Sequence, residues 1–265
     1  MSPVTATPEP RALYQFRNAG LSLGGKLILD DIAIDIRKGE IVCIVGASGC
    51  GKTTLLRLAG GLFKPSSGSV LFEGTPMTAP RQDVAIVFQD YGRALLPWRT
   101  ATGNVSLALE AAKVPARERA PRIAACLGKV GLAGHSDKYP TQMSGGMQQR
   151  LQIARCLAQE PQALLMDEPF GALDAMTRQS LQDEVLALHA ETAATIVFVT
   201  HDLEEAIYLG DRVVGLLPHP GRVGIDIDIG LARPRTQLAT REDPEFLRLR
   251  RVLFDFIETS EGHRA

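Results

Sequence analysis

The sequence predicts an α/β fold on a largely parallel sheet, and three observations carry that prediction. First, four short apolar runs read as strands buried on both faces: IVCIV at 41–45, VAIVF at 84–88, ALLM at 163–166 and TIVFV at 195–199. Second, each is β-branched or Leu-rich and leads into polar or glycine-rich residues, with helical patterns between some of them. Third, residues 92–160 hold helical segments and no convincing strand. That stretch reads as a helical subdomain inserted between two core strands.

Composition fits one such domain. The chain has 265 residues, 45% hydrophobic and 22% charged, as in an ordinary globular protein. Residues 1–11, rich in Pro, Thr and Ser, read as a disordered tail, leaving 12–265 as a single domain. A net charge of −1 gives no electrostatic case for nucleic acid as a partner. The four cysteines, at 43, 50, 126 and 156, form no CxxC pair, which argues against a disulfide framework or zinc site and fits a reducing cytosol. No apolar run approaches the roughly 20 residues of a membrane helix, and MSPVTATPEP has no features of a signal peptide.

In chain order, IVCIV feeds GASGCGKTT at 46–54, and TTLLRLAGG continues it as a helix. VAIVF runs into Gln89. The inserted stretch carries helical segments at Asn104–Ala112 and Ala116–Val130, with Pro115 and Pro121 as punctuation. QQRLQIARCLAQE follows with good helix formers and an apolar face through Leu151, Ala154 and Leu157. ALLM ends in DEP, and TIVFV ends in THD. After Asp211 come a short strand-like run, RVVGLL, a PHPGR turn, the alternating IDIDI, and a last helix near Pro244–Glu258.

GASGCGKTT fits G-x-x-x-x-G-K-[ST] in its strand–loop–helix context, the phosphate-binding P-loop. Gly46, Gly49 and Gly51 permit bends that aim backbone N–H groups at phosphate oxygens, and the following helix adds its positive end. The loop residues Gly46, Ala47, Ser48, Gly49, Cys50, Gly51, Lys52, Thr53 and Thr54 are therefore the candidate nucleotide cradle. Lys52 would reach the β- and γ-phosphates and Thr53 would ligate Mg²⁺. In ALLMDEP, Asp167 would hold the metal, through water, and Glu168 would act as general base on the attacking water. His201, at a strand end, would contact the γ-phosphate. Gln89, also at a strand end, would reach Mg²⁺ and the attacking water.

Together the motifs resemble an ATP-binding-cassette (ABC) ATPase. GASGCGKTT, VFQD, MSGGMQQR, LLMDEP, GALD and VTHD stand in that family's order and at about its spacings, over residues 12–258. The resemblance implies a P-loop NTPase nucleotide-binding domain with a mixed core sheet, an N-terminal antiparallel β region and an inserted helical subdomain. ATP and Mg²⁺ are the implied cofactors. MSGGM resembles the family signature LSGGQ, with Met147 in place of Gln. In the family two domains pair head to tail, so Ser144, Gly145 and Gly146 would face the γ-phosphate of a second copy's ATP. Asp174 of GALD resembles the loop that couples the two sites.

One departure concerns the base. The family carries an adenine-stacking aromatic where this chain has Leu23, so weak discrimination of ATP from GTP, under about tenfold, is expected. Tyr14 or Phe16 would compensate only if the N-terminal strand were offset. Cys50, near a helix N-terminus, is expected either to be a thiol of lowered pKa whose alkylation inhibits, or an inert small residue.

ALLPWRTATGNV at 94–105 and the tail DRVVGLLPHPGRV with LARPR resemble ATPases of bacterial importers for nitrate, sulfonates and taurine. That implies a peripheral protein on the cytoplasmic face of the inner membrane. Its partners would be a second ATPase subunit, integral permease subunits and, indirectly, a periplasmic or lipid-anchored solute-binding protein. Leu95, Leu96 and Trp98 would help line the groove that receives the permease, or Trp98 would be subdomain core. A soluble ABC-type assembly factor and an importer ATPase for another small solute share every catalytic motif and stay open.

Overall fold

The computed structural model describes residues 12–262; the tail expected at 1–11 lies outside the described residues. β1 (Ala12–Leu23) and β2 (Lys26–Arg37) form an antiparallel hairpin closed by Gly24 and Gly25. Both glycines hold positive φ, 57° and 79°, as a two-residue turn matched to strand twist requires. Along β2, Leu29, Ile32, Ile34 and Ile36 are buried, with outward residues alternating from Ile32 onward.

β3 (Ile41–Gly46) is buried at every position and leads through the glycine-rich loop into α1 (Lys52–Ala59). β4 (Ser67–Phe72) returns to pair antiparallel with β1, and β5 (Thr75–Pro76) flanks it, giving a sheet of order β2–β1–β4–β5. β6 (Val84–Val87) is followed by the stretch read as an insertion, which holds α2 (Tyr91–Ala94), α3 (Ala101–Ala111), α4 (Ala116–Lys129), short 3₁₀ turns at Ala133–His135 and Pro140–Gln142, and α5 (Gly145–Leu157). Then come β7 (Ala163–Asp167), α6 (Ala175–Thr192), β8 (Thr195–Val199), α7 (Leu203–Leu209), β9 (Arg212–Leu217), β10 (Arg222–Asp228), α8 (Gln237–Glu242) and α9 (Pro244–Gly262).

The second sheet has the order β10–β9–β3–β8–β7–β6. All its neighbours are parallel except the hairpin pair β9–β10. Register sets the site. Val199 pairs with both Ile44 and Asp167, and Val87 pairs with Met166. The carboxyl ends of β3, β6, β7 and β8 therefore share one sheet edge, where open α/β sheets bind ligands. Leu55, Leu56, Leu58 and Ala59 of α1 join one buried cluster with Tyr14, Phe16 and Phe72 of the first sheet and Val42, Leu165 and Val197 of the second. The helix after the glycine-rich loop is thus clamped between two sheets.

Three details differ from expectation. α3 begins earlier, at Ala101, because the Thr100 side chain caps it by accepting from Gly103 N. Pro121 does not break α4; it lies in the second turn, where it removes one donor, and the Arg117 residue whose carbonyl loses that partner is exposed. Trp98 is 71% exposed, so it is not core, whereas Leu95 is buried.

Candidate active site

The loop between β3 and α1 needs its glycines. Gly46, Gly49 and Gly51 have φ of 149°, 79° and 101°. A Cβ on Gly46 would lie 2.7 Å from Leu216 O, and one on Gly51 2.6 Å from the Leu29 side chain. Lys52 arches back so that Nζ donates to Gly46 O at 2.8 Å and to Ala47 O at 3.2 Å. The loop borders a cleft of about 500 Å³. Ser48, Gly49, Gly51, Lys52, Thr53 and Thr54 line one side, and Gln89, Glu168, His201 and Ile28 line the rest. Gly46, Ala47 and Cys50 are buried beneath it.

Asp167, the last residue of β7, is 7% exposed and accepts from Thr53 Oγ1 at 2.9 Å. Burial raises its pKa, and the Glu168 charge adds to this; the Thr53 bond, Arg57 and Lys52 oppose it. A buried carboxylate beside a hydroxyl, with a glutamine amide in the same cleft, is an oxygen donor set that fits a hard divalent cation such as Mg²⁺.

Glu168 leaves the strand in a left-handed conformation, φ 43°, held by its N–H to Val199 O at 2.9 Å. For a non-glycine residue that conformation costs on the order of 1 kcal/mol, a strain that gathers at functional sites. Its Oε2 is 3.1 Å from His201 Nδ1 and 3.4 Å from Gln89 Nε2. Side chains that follow β6 and β8 thus meet the carboxylate that follows β7.

Behind Glu168 and His201 lies a small cavity of about 20 Å³, walled also by Arg178, Thr200, Asp202 and Glu205. Arg178 Nη2 donates to Leu173 O at 3.1 Å, and Nη1 lies 3.6 Å from Asp202 Oδ2. Asp202 caps α7 by accepting from Glu204 N and Glu205 N. Sequence reasoning did not single out Ile28, Arg178 or Glu205. Asp202 carried a signal, a helix-capping acid followed by two glutamates; Ile28 and Arg178 carried none.

Ser144, Gly145, Gly146 and Asp174 stand apart from this cleft. Ser144 caps α5 by accepting from Met147 N at 3.3 Å. Asp174 caps α6 by accepting from Thr177 N at 3.0 Å, and those bonds hold its carboxyl below the usual range. The two helix starts touch: a Cβ on Gly146 would lie 2.7 Å from Thr177 Cγ2.

Of the two readings of Cys50, the structure favours the inert one. Its side chain is 1% exposed and turned under the loop, and burial pushes the thiol up more than Lys52 and two backbone bonds bring it down. Leu23 ends β1, 40% exposed, and does not line the cleft; Tyr14 and Phe16 are buried in the first sheet and cannot replace it. Ile28 is the apolar side chain at the cleft wall.

Comparison with known proteins bears on the family. Residues 29–171 match the ABC transporter family. Over 243 residues the chain is 41% identical to the nitrate import ATP-binding protein NrtD of Synechococcus elongatus, covering 91% of this chain and 88% of that protein. It is 45% identical over 240 residues to the nitrate import ATP-binding protein NrtC of the same organism, covering 89% of this chain but 36% of that longer protein. A bicarbonate transport ATP-binding protein, CmpD of Synechocystis, is 41% identical over 91% of this chain and 86% of its own length. Among solved structures, cbiO1 of Clostridium perfringens, part of the transporter complex cbiONQ, superposes with a TM-score of 0.77 at 26% identity, over 96% of this chain and 99% of that one. The ATP-binding cassette MJ0796, a dimer bound to ADP and Pi in a post-hydrolysis state, superposes with a TM-score of 0.71 at 31% identity, over 83% of this chain and 100% of that one. Sequence, fold and the convergence on Glu168 lead to one assignment: the chain belongs to the ABC transporter family and is one of its ATP-binding ATPases.

Proposed function

We propose that this chain is the ATPase subunit of an importer for a small anion, with nitrate, bicarbonate, an aliphatic sulfonate or taurine as the solute class. The observation that carries the catalytic half is the convergence of Gln89 and His201 on the Glu168 carboxylate, beside the Thr53–Asp167 pair and Lys52. The names of the relatives support the importer half.

In this reading Gly46 to Thr54 cradle the phosphates and Lys52 exchanges its carbonyl partners for β- and γ-phosphate oxygens. Thr53, Asp167 and Gln89 would hold Mg²⁺, which when bound would neutralise phosphate charge. Glu168 takes the proton of the attacking water as its oxygen bonds to the γ-phosphorus and the bond to ADP breaks. His201 orients Glu168 and donates to the γ-phosphate. A second copy supplies Ser144, Gly145 and Gly146 across the cleft, and Asp174 couples the two sites. Catalysis is then positioning plus charge stabilisation.

The helical subdomain, about residues 92–160, meets the permease. Leu96 and the exposed Trp98 belong to its groove, with Leu95 packed beneath. In this reading a permease of separate subunits carries the pathway and this chain sits peripherally on its cytoplasmic face; no described helix is long and apolar enough to cross a membrane. A solute-binding protein acts on the far side.

The test is growth of a deletion strain on nitrate, taurine or alkanesulfonates as sole nitrogen or sulfur source, and at limiting bicarbonate. Complementation uses wild type and Glu168→Gln. Loss under one condition, rescued by wild type alone, names the solute. Normal growth under all of them removes the anion-importer reading.

A further inference from the structure

β6 is the outer strand of its sheet, paired with β7 on one side only. Backbone groups on its other edge still need partners where they are buried. Helix α5 supplies them. Gln152 is fully buried, 0% exposed. Turned so that both its ends are satisfied, its carboxamide accepts from Phe88 N at 2.6 Å and donates to Phe88 O at 3.2 Å. One side-chain amide makes the two bonds that an antiparallel strand residue would exchange with Phe88. One turn along α5, Cys156 Sγ lies 3.4 Å from Ile86 O, two residues back on the same strand edge. Arg155 Nη1 donates to Ala94 O at 2.6 Å. The helix that starts at Ser144 therefore grips the chain on both flanks of Gln89.

Gln89 has little else to place it. It is exposed, and its described side-chain bond is the long one to Glu168, 3.4 Å. The Phe88 side chain is 41% exposed, so packing does not fix that residue either.

We propose that Gln152 is a positioning residue for Gln89: it locks the end of β6 to α5 and so fixes the distance of Gln89 from Glu168. The inference rests on the reading of Gln89 as a site residue.

The experiment compares full-length wild type, Gln152→Leu and Gln89→Ala by amide hydrogen exchange and steady-state ATPase kinetics. In wild type the Phe88 amide exchanges slowly. Gln152→Leu keeps the bulk and removes both bonds, so exchange at Phe88 rises about fivefold to tenfold while β7 amides keep their rates. Its kcat falls about fivefold with KM for ATP within about twofold, because nucleotide binding is untouched. A merely structural role would instead speed exchange across the sheet and lower the active fraction.

An unchanged kcat in Gln89→Ala overturns the site reading and the inference with it. A reduced kcat in Gln89→Ala with wild-type kcat in Gln152→Leu overturns the inference alone. Should the Leu variant not fold, Gln152→Met carries the same comparison. A fast-exchanging Phe88 amide in wild type overturns the proposal without any variant.

Discussion

The Asp167 carboxyl is held in the fold with its pKa raised above 3.8, first by burial and then by the neighbouring Glu168 charge. A group whose folded pKa lies above its unfolded value contributes stability that is full below the unfolded value and lost as pH rises through the folded one. At neutral pH the ionised Asp167 is therefore a net cost to the fold, one that a bound cation would offset. Asp167→Asn keeps an acceptor for Thr53 Oγ1 and removes the charge. Its ligand-free thermal midpoint at pH 7 should rise by about 2 °C, with the gap closing toward pH 4, while ATP hydrolysis falls by roughly a hundredfold or more. Calorimetry at the two pH values decides; a lower midpoint for Asn at pH 7 would contradict the burial argument. Cys50 shows the same competition on a thiol. A helix N-terminus lowers a thiol pKa, but desolvation wins when the sulfur turns under the loop. Cys50 should stay unlabelled by a thiol reagent in the folded chain, with ATPase activity retained, and become labelled in denaturant. Rapid labelling of the native protein at Cys50 would restore the activated-thiol view.

At the scale of elements, the β9–β10 hairpin is what holds the phosphate loop from below. Leu216 O lies against Gly46, and Gly221 packs onto the loop: a Cβ there would lie 2.2 Å from Cys50 O and 2.8 Å from Leu29. Gly221 also exchanges backbone bonds with β2, donating to Ile28 O at 2.8 Å and accepting from Asp30 N at 2.9 Å. Gly221→Ala must push this turn off the loop, so KM for ATP should rise about tenfold with the thermal midpoint down by several degrees, about 2 kcal/mol of strain. Unchanged KM in a folded Gly221→Ala chain would show that the hairpin is not a support. None of this was legible beforehand, because the contact joins residues about 170 apart. β3, β6, β7 and β8 were legible because burial on both faces leaves uninterrupted apolar runs. β1 and β2 were harder to delimit: register shifts and the positive φ of Asn18 and Asp31 break their alternation. α8 is six residues with none buried, so no period marks it. In the cleft, the residues carried by contiguous motifs could be named from spacing, whereas Ile28 reaches it from a strand of the other sheet.

For the whole molecule, the two groups of motifs sit at different places on one chain. Lys52, Thr53, Gln89, Glu168 and His201 share a cleft that Ser144, Gly146 and Asp174 do not line. Yet Ser144 and Asp174 begin adjacent helices that touch at Gly146 and Thr177, which gives them the layout of one docking edge. Backbone N–H groups at the start of the 13-residue α5 suit an anion, and head-to-tail pairing would place them on the γ-phosphate bound by a second copy. A net charge of −1 puts little repulsion between two such chains. Pairing should then depend on ATP and on Ser144 while binding of ATP to one chain does not. With Glu168→Gln to stop hydrolysis, light scattering with ATP should move from the mass of one chain to that of two. Adding Ser144→Arg removes a cap of about 1 kcal/mol and puts a bulky cation at the contact. That double variant should stay at one chain, with its equilibrium affinity for ATP within about threefold of the single variant, since its own cleft is intact. An ATP-bound dimer that survives Ser144→Arg, or no doubling of mass at any ATP concentration, would mean that the isolated chain does not close its site with a second copy.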